Sequence, residues 1–148
     1  PQTMVHRDYH SRNIMLINDK AGIIDFQDAV YGPITYDLAS LLKDCYINWP
    51  EEKVHELVRH FLRKHNENNS TELNFNQFIK WFDLMAAQRH MKAIGIFCRL
   101  NYRDGKKKFL HDIPRTMTYL TETCRKYPEL ADFSRFLAEI QPKINTPS

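Results

Sequence analysis

The chain has 148 residues, 43% hydrophobic and 26% charged, with a net charge of +3. One globular domain over 1–148 is the default at this length, and the composition excludes an intrinsically disordered chain. No apolar run approaches the ~18 residues of a membrane span, no basic segment followed by an apolar core opens the chain, and the net charge is too small for a nucleic-acid binder.

Met4 to Tyr9 reads as an extended segment entering a polar turn. Ile14–Ile17 and Ile23–Phe26 are short apolar runs joined by Asn18-Asp19-Lys20-Ala21-Gly22, the pattern of a small hairpin. Gly32-Pro33 breaks the chain. Leu38, Leu41 and Leu42 then mark a helix over 36–44. Trp49-Pro50-Glu51-Glu52 opens another, with acids at its positive end. Val54, Leu57, Val58, Phe61 and Leu62 give that helix one apolar face. Phe75 to Leu100 is periodic throughout, as one helix or two in series. Arg103 to Lys108 reads as a charged loop, with the three lysines in solvent. Met117, Leu120, Cys124 and Tyr127 share a face of a helix over 114–127, and Pro128 opens a last one. Residues 141–148 are expected to fray. The fold class is therefore α+β and mostly α, a small hairpin followed by about five helices.

Charge is uneven along the chain. Residues 1–45 hold six acids and four bases, a net of −2, and the remainder a net of +5. A cation site beside a surface that tolerates anions would give this pattern, as would scatter of surface charge. Cys45, Cys98 and Cys124 are few and far apart, which points to free thiols in a reducing compartment, not to a zinc site. Pro1 stands where an initiator Met would, as in a fragment or a processed product.

The chemistry lies in His6-Arg7-Asp8-Tyr9-His10-Ser11-Arg12-Asn13, an H-x-D-x-x-x-x-N pattern, with Asp25-Phe26 twelve residues after Asn13. Phosphoryl transfer needs an aspartate to orient the attacking hydroxyl and accept its proton. It also needs hard oxygen ligands for magnesium, which an Asn amide and an Asp carboxylate supply. The hairpin would fold Asp25 back beside the loop.

These residues resemble the protein-kinase-like superfamily, and within it the aminoglycoside phosphotransferase family. The resemblance implies the C-terminal lobe of that fold, Asp8 as catalytic base, and Asn13 and Asp25 as holders of Mg2+. It implies ATP as co-substrate, His6 as a structural residue of the loop, and Asp37 in Tyr36-Asp37-Leu38-Ala39 as its brace. Gln27 stands where protein kinases carry Gly. Only about ten residues separate Asp25 from the helix at Tyr36, which leaves no room for an activation loop or peptide docking. A small-molecule acceptor follows.

On the long helix at 100° per residue, Arg89 and His90 fall on the same face as Phe78, Phe82, Ala86 and Phe97. Arg89 there would anchor a substrate anion or close an internal salt bridge. The segments Gly22 to Pro33, Gln88-Arg89-His90 and Tyr102 to Lys106 resemble the anomeric sugar kinases of N-acetylmuramate and N-acetylglucosamine in bacterial cell-wall recycling. That resemblance makes a sugar the small-molecule partner, Gln27 and Asp28 its hydroxyl contacts, Arg89 the candidate for the carboxylate and His90 a further substrate-binding candidate. Another acceptor (an aminoglycoside, choline or other metabolite) or a non-catalytic binding module remains open. It also implies a cytoplasmic enzyme, with no nucleic-acid or membrane partner. Its N-terminal nucleotide lobe would lie outside these residues, leaving the isolated chain nearly inactive.

Overall fold

The structure is a computed structural model that describes residues 1–145, with side chains through residue 142. The fold is mostly helical with two small sheets. It divides into two compact units, Pro1–Met85 and Ala86–Ser148, where one domain is expected from length. The 30-residue helix that contributes to both is about 45 Å long, more than one small core needs.

The first unit runs β1 (Gln2–Val5), a 3-10 turn (Ser11–Asn13), β2 (Ile14–Ile17), β3 (Lys20–Ile23), β4 (Val30–Pro33), α1 (Thr35–Leu42), α2 (Glu51–Glu67) and the opening of α3 (Phe75–Asp104). β2 and β3 form the expected hairpin, with Ile17 opposite Lys20. Its two-residue loop holds Asn18 at φ 50° and Asp19 at φ 59°, the left-handed pair whose twist matches that of the strands.

β4 replaces the break expected at Gly32-Pro33. It pairs antiparallel with β1, Gly32 opposite Thr3 and Pro33 opposite Gln2. Proline ends the strand, where its missing N–H costs nothing. Gly32 is buried because a Cβ there would lie 3.3 Å from Val5 Cγ2. The extended segment expected over 4–9 is shifted accordingly: the strand ends at Val5, and residues 6–13 form a loop.

Val54, Val58 and Leu62 are the buried face of α2, and Phe61 stacks on Phe78 with ring centroids 5.9 Å apart. Phe78 and Phe82 are fully buried.

The second unit holds the rest of α3, a 3-10 turn (Lys107–Asp112), α4 (Ile113–Arg125), a second 3-10 turn (Pro128–Leu130) and α5 (Ala131–Asn145). α3 is one helix and takes in Arg103 and Asp104, which the sequence assigns to a loop. Gly95 does not break it; it faces open space and only weakens the helix. Gly105, at φ 65°, closes it, the N–H groups of Gly105 and Lys106 taking the carbonyls of Asn101 and Leu100. Met117, Leu120 and Cys124 are the buried face of α4, along which α5 packs. α5 continues through residues 141–145, part of the segment where fraying is expected. Residues 146–148 of the expected tail lie outside the described residues. No helix among the described residues is long and apolar enough to cross a membrane.

Candidate active site

Every element of the site in the first unit follows from how residues 6–13 are tied down. Arg7 sits at φ 77°, a conformation that costs a non-glycine residue about 1–2 kcal/mol. Asp37, in the first turn of α1, holds it there: the N–H of His6 donates to Asp37 Oδ2 at 2.6 Å, and that of Arg7 to Oδ1 at 3.1 Å. Asp37 thus ties the loop to the first turn of α1.

His6 fixes the other side. Its Nε2 lies 3.0 Å from the carbonyl oxygen of Ile24. A carbonyl only accepts, so Nε2 carries the proton. The ring thereby fastens the loop to the chain leaving β3.

The hairpin brings Asp25 back beside Asn13. The Ile24 N–H donates to the Asn13 carbonyl at 3.1 Å, one rung beyond the β2–β3 ladder. Asn13 Nδ2 donates to the Asp8 carbonyl at 2.9 Å and lies 3.4 Å from Asp25 Oδ2. Asp25, at φ 68°, then turns the chain away from the strand. Asp8, Asn13 and Asp25 are thus one cluster. Among the described residues no hydrogen bond occupies the half-buried Asp8 carboxylate, which leaves it available as an acceptor.

The donor set fits a divalent cation of the magnesium kind. Asn13 commits its amide nitrogen to Asp8, which leaves Asn13 Oδ1 as the free ligand atom, and Asp25 adds an exposed carboxylate. Two protein oxygens with open water positions suit an ion that keeps most of its hydration.

The remaining sites behave differently. Gln27 donates to Asp25 Oδ1 at 2.7 Å, and both Gln27 and Asp28 are exposed. Arg89 and His90 lie in the second unit. Arg89 is half-buried, whereas His90 is 1% exposed, its ring 5.6 Å from that of Tyr119. On this face of the helix His90 is buried among core residues, while Arg89 beside it is partly open.

Sequence reasoning passed over Asp44. It is 3% exposed, just beyond α1, and accepts from the Ser11 N–H at 3.0 Å, the Ser11 hydroxyl at 2.6 Å and the Tyr46 N–H at 2.9 Å. Arg12 lies over the Tyr46 ring at 3.5 Å. The available signal was spacing: Asp44 follows Asp37 by seven residues, two turns along one helical face.

Residues 1–72 match the phosphotransferase enzyme family. That match spans just under half of the chain. Over 141 residues, 95% of the chain, it is 47% identical to an N-acetylmuramate/N-acetylglucosamine kinase of Neisseria meningitidis. It is 43% identical, over the same share, to the kinase of that name from Pseudomonas aeruginosa. A Caulobacter vibrioides protein of that name is 30% identical over 93% of the chain. The chain spans 42% of the length of the first two relatives and 38% of the third.

Proposed function

We propose that this chain is the catalytic and acceptor-binding part of a Mg-ATP-dependent kinase that phosphorylates an amino sugar, N-acetylmuramate or N-acetylglucosamine, at its anomeric hydroxyl. The observation that carries the reading is the convergence of Asp8, Asn13 and Asp25 on one braced loop. The names of the relatives support the acceptor class.

In this reading Asp8 orients the sugar hydroxyl and takes its proton as the oxygen bonds to the γ-phosphorus. The bond from that phosphorus to the β–γ bridging oxygen breaks, and ADP leaves with its electron pair. Asn13 Oδ1 and Asp25 hold the metal, which when bound neutralises phosphate charge. Arg89 is the candidate for a substrate carboxylate, and Asp28 for a sugar hydroxyl. The ATP-positioning groups are assigned to the further length that the relatives possess. The exposed apolar residues Met4, Leu16, Phe26 and Tyr31, each at least 67% exposed, support a covering partner there. ATP chemistry and the free thiols Cys45, Cys98 and Cys124 are consistent with a cytoplasmic setting.

The test is phosphate transfer by the complete protein with Mg-ATP and a panel of N-acetylmuramate, N-acetylglucosamine, choline and kanamycin. Sugar 1-phosphate, seen by phosphorus NMR and abolished by Asp8→Asn, is expected. Turnover of choline or kanamycin alone would retire the sugar reading, and turnover that survives Asp8→Asn would retire the base.

A further inference from the structure

Asp37 and Asp44 flank α1, one in its first turn and one just past its end at Leu42. They clasp opposite sides of the same loop. Asp37 takes the backbone of His6 and Arg7; Asp44 takes the backbone and hydroxyl of Ser11. Asp8 lies between the two clasps.

Asp44 is the more demanding of the pair. A buried carboxylate is costly unless donors replace its lost hydration. Three do so, and the 2.6 Å hydroxyl contact has the length of a bond to a charged acceptor. Ser11 opens the 3-10 turn that delivers Asn13, and Asn13 in turn holds the Asp8 carbonyl. The His10 N–H donates to that same carbonyl at 3.0 Å, and the Asn13 N–H to the His10 carbonyl at 2.9 Å. A shift of Ser11 therefore reaches the proposed base and the proposed metal ligand together. Tyr46 adds a second tie: its N–H binds Asp44, and its ring meets His10 edge-on and carries Arg12.

We propose that Asp44 is a positioning residue and that α1 acts as a splint, its two flanking carboxylates fixing the loop from both sides so that Asp8 and Asn13 keep one geometry. The consequence for catalysis rests on the phosphotransfer reading above; the splint itself does not.

The experiment uses the complete protein and the variants Asp44→Asn, Ser11→Ala and Ser11→Thr. It reads steady-state kinetics with Mg-ATP and N-acetylglucosamine, and amide hydrogen exchange over residues 6–14 and over α2. Asp44→Asn is expected to lower kcat by about 10- to 100-fold, the cost of weakening a bond to a charged group, with both KM values within about twofold. Exchange should rise in 6–14 and stay unchanged in α2. Ser11→Ala should give part of the loss, and Ser11→Thr, which keeps the hydroxyl, should return most of it. Unchanged exchange over 6–14 overturns the splint whatever the activity. So does exchange that rises equally in α2, the mark of general destabilisation. Should Asp44→Asn not fold, Ser11→Ala against Ser11→Thr decides: equal kcat and equal exchange in the two refute the proposal. A wild-type protein that turns over no amino sugar, yet shows the loop response, retires the sugar reading and keeps the splint.

Discussion

Replacing Asp37 with alanine should loosen the first unit in a way that fluorescence can read. The carboxylate accepts from two backbone N–H groups, of His6 and of Arg7, and both contacts are part-buried. Truncation leaves two donors without that acceptor, at about 1–3 kcal/mol each before water re-enters. Against this, Arg7 is released from φ 77° and recovers about 1–2 kcal/mol of backbone strain. Taking the middle of each range, the net expectation is a loss of about 2.5 kcal/mol. Both tryptophans, Trp49 and Trp81, belong to the first unit, so their emission follows that unit alone. With a urea slope of about 2 kcal/mol per molar, the tryptophan-detected midpoint should fall by about 0.5–2 M. A midpoint shift under about 0.2 M would show that Asp37 does not hold the loop, and the account of the strained Arg7 would fall with it.

Three further outcomes follow from single contacts. Gln27→Ala in the complete protein should raise the Mg2+ concentration for half-maximal activity several-fold and leave the sugar KM unchanged, because Gln27 donates to Asp25; a rise in sugar KM alone would return Gln27 to the acceptor pocket. Asp19→Gly should stabilise the hairpin by about 0.5–1 kcal/mol, since glycine adopts the left-handed turn without penalty, and an unchanged or lower thermal midpoint would contradict the turn geometry. Burial pushes the Cys124 thiol above its ordinary value, so iodoacetamide should modify exposed Cys98 first and Cys124 last, by mass spectrometry of timed digests. The same shift makes the folded chain hold this proton longer than the unfolded one. Its contribution to stability is complete below the ordinary thiol pKa and falls as pH rises through it. Early labelling of Cys124 would contradict its burial.

What the sequence made legible was whatever is local. The hairpin between Ile14 and Ile23, the acid-led start of α2 and the closing face of Met117, Leu120 and Cys124 each follow from residues a few positions apart. The Asp8, Asn13 and Asp25 cluster was legible because its chemistry restricts the residue types and the hairpin explains their spacing. The misses are non-local. β4 was hidden because Val30–Pro33 becomes a strand only through Gln2–Val5, about thirty residues earlier. Asp44 was hidden because its partner Ser11 lies 33 positions away, and its seven-residue spacing from Asp37 does not by itself announce a buried charge. His90 shows the limit of a helical wheel. The wheel placed it on the right face, but periodicity cannot distinguish a core from a cleft, and Tyr119, which lies against it, comes from another helix.

Strain separates the site from its scaffold. Among the described residues the non-glycine positions with positive φ are Arg7, Asn18, Asp19 and Asp25. Asn18 and Asp19 are ordinary, since a two-residue hairpin demands that conformation and Asn and Asp tolerate it. Arg7 and Asp25 have no such excuse: neither lies in a hairpin turn, and each borders or belongs to the proposed catalytic pair. Both are held by side chains, Arg7 through Asp37 and Asp25 through Gln27 and Asn13. Strained residues persist only where their surroundings over-determine them. Here the over-determination comes from α1 and the hairpin together, which are otherwise simple elements. The agreement of local propensity and fold breaks at Arg7, beside the proposed base, and at Asp25, the proposed metal ligand. The first unit can therefore be read as a scaffold whose architecture serves to hold Arg7 and Asp25 in conformations that neither would adopt alone.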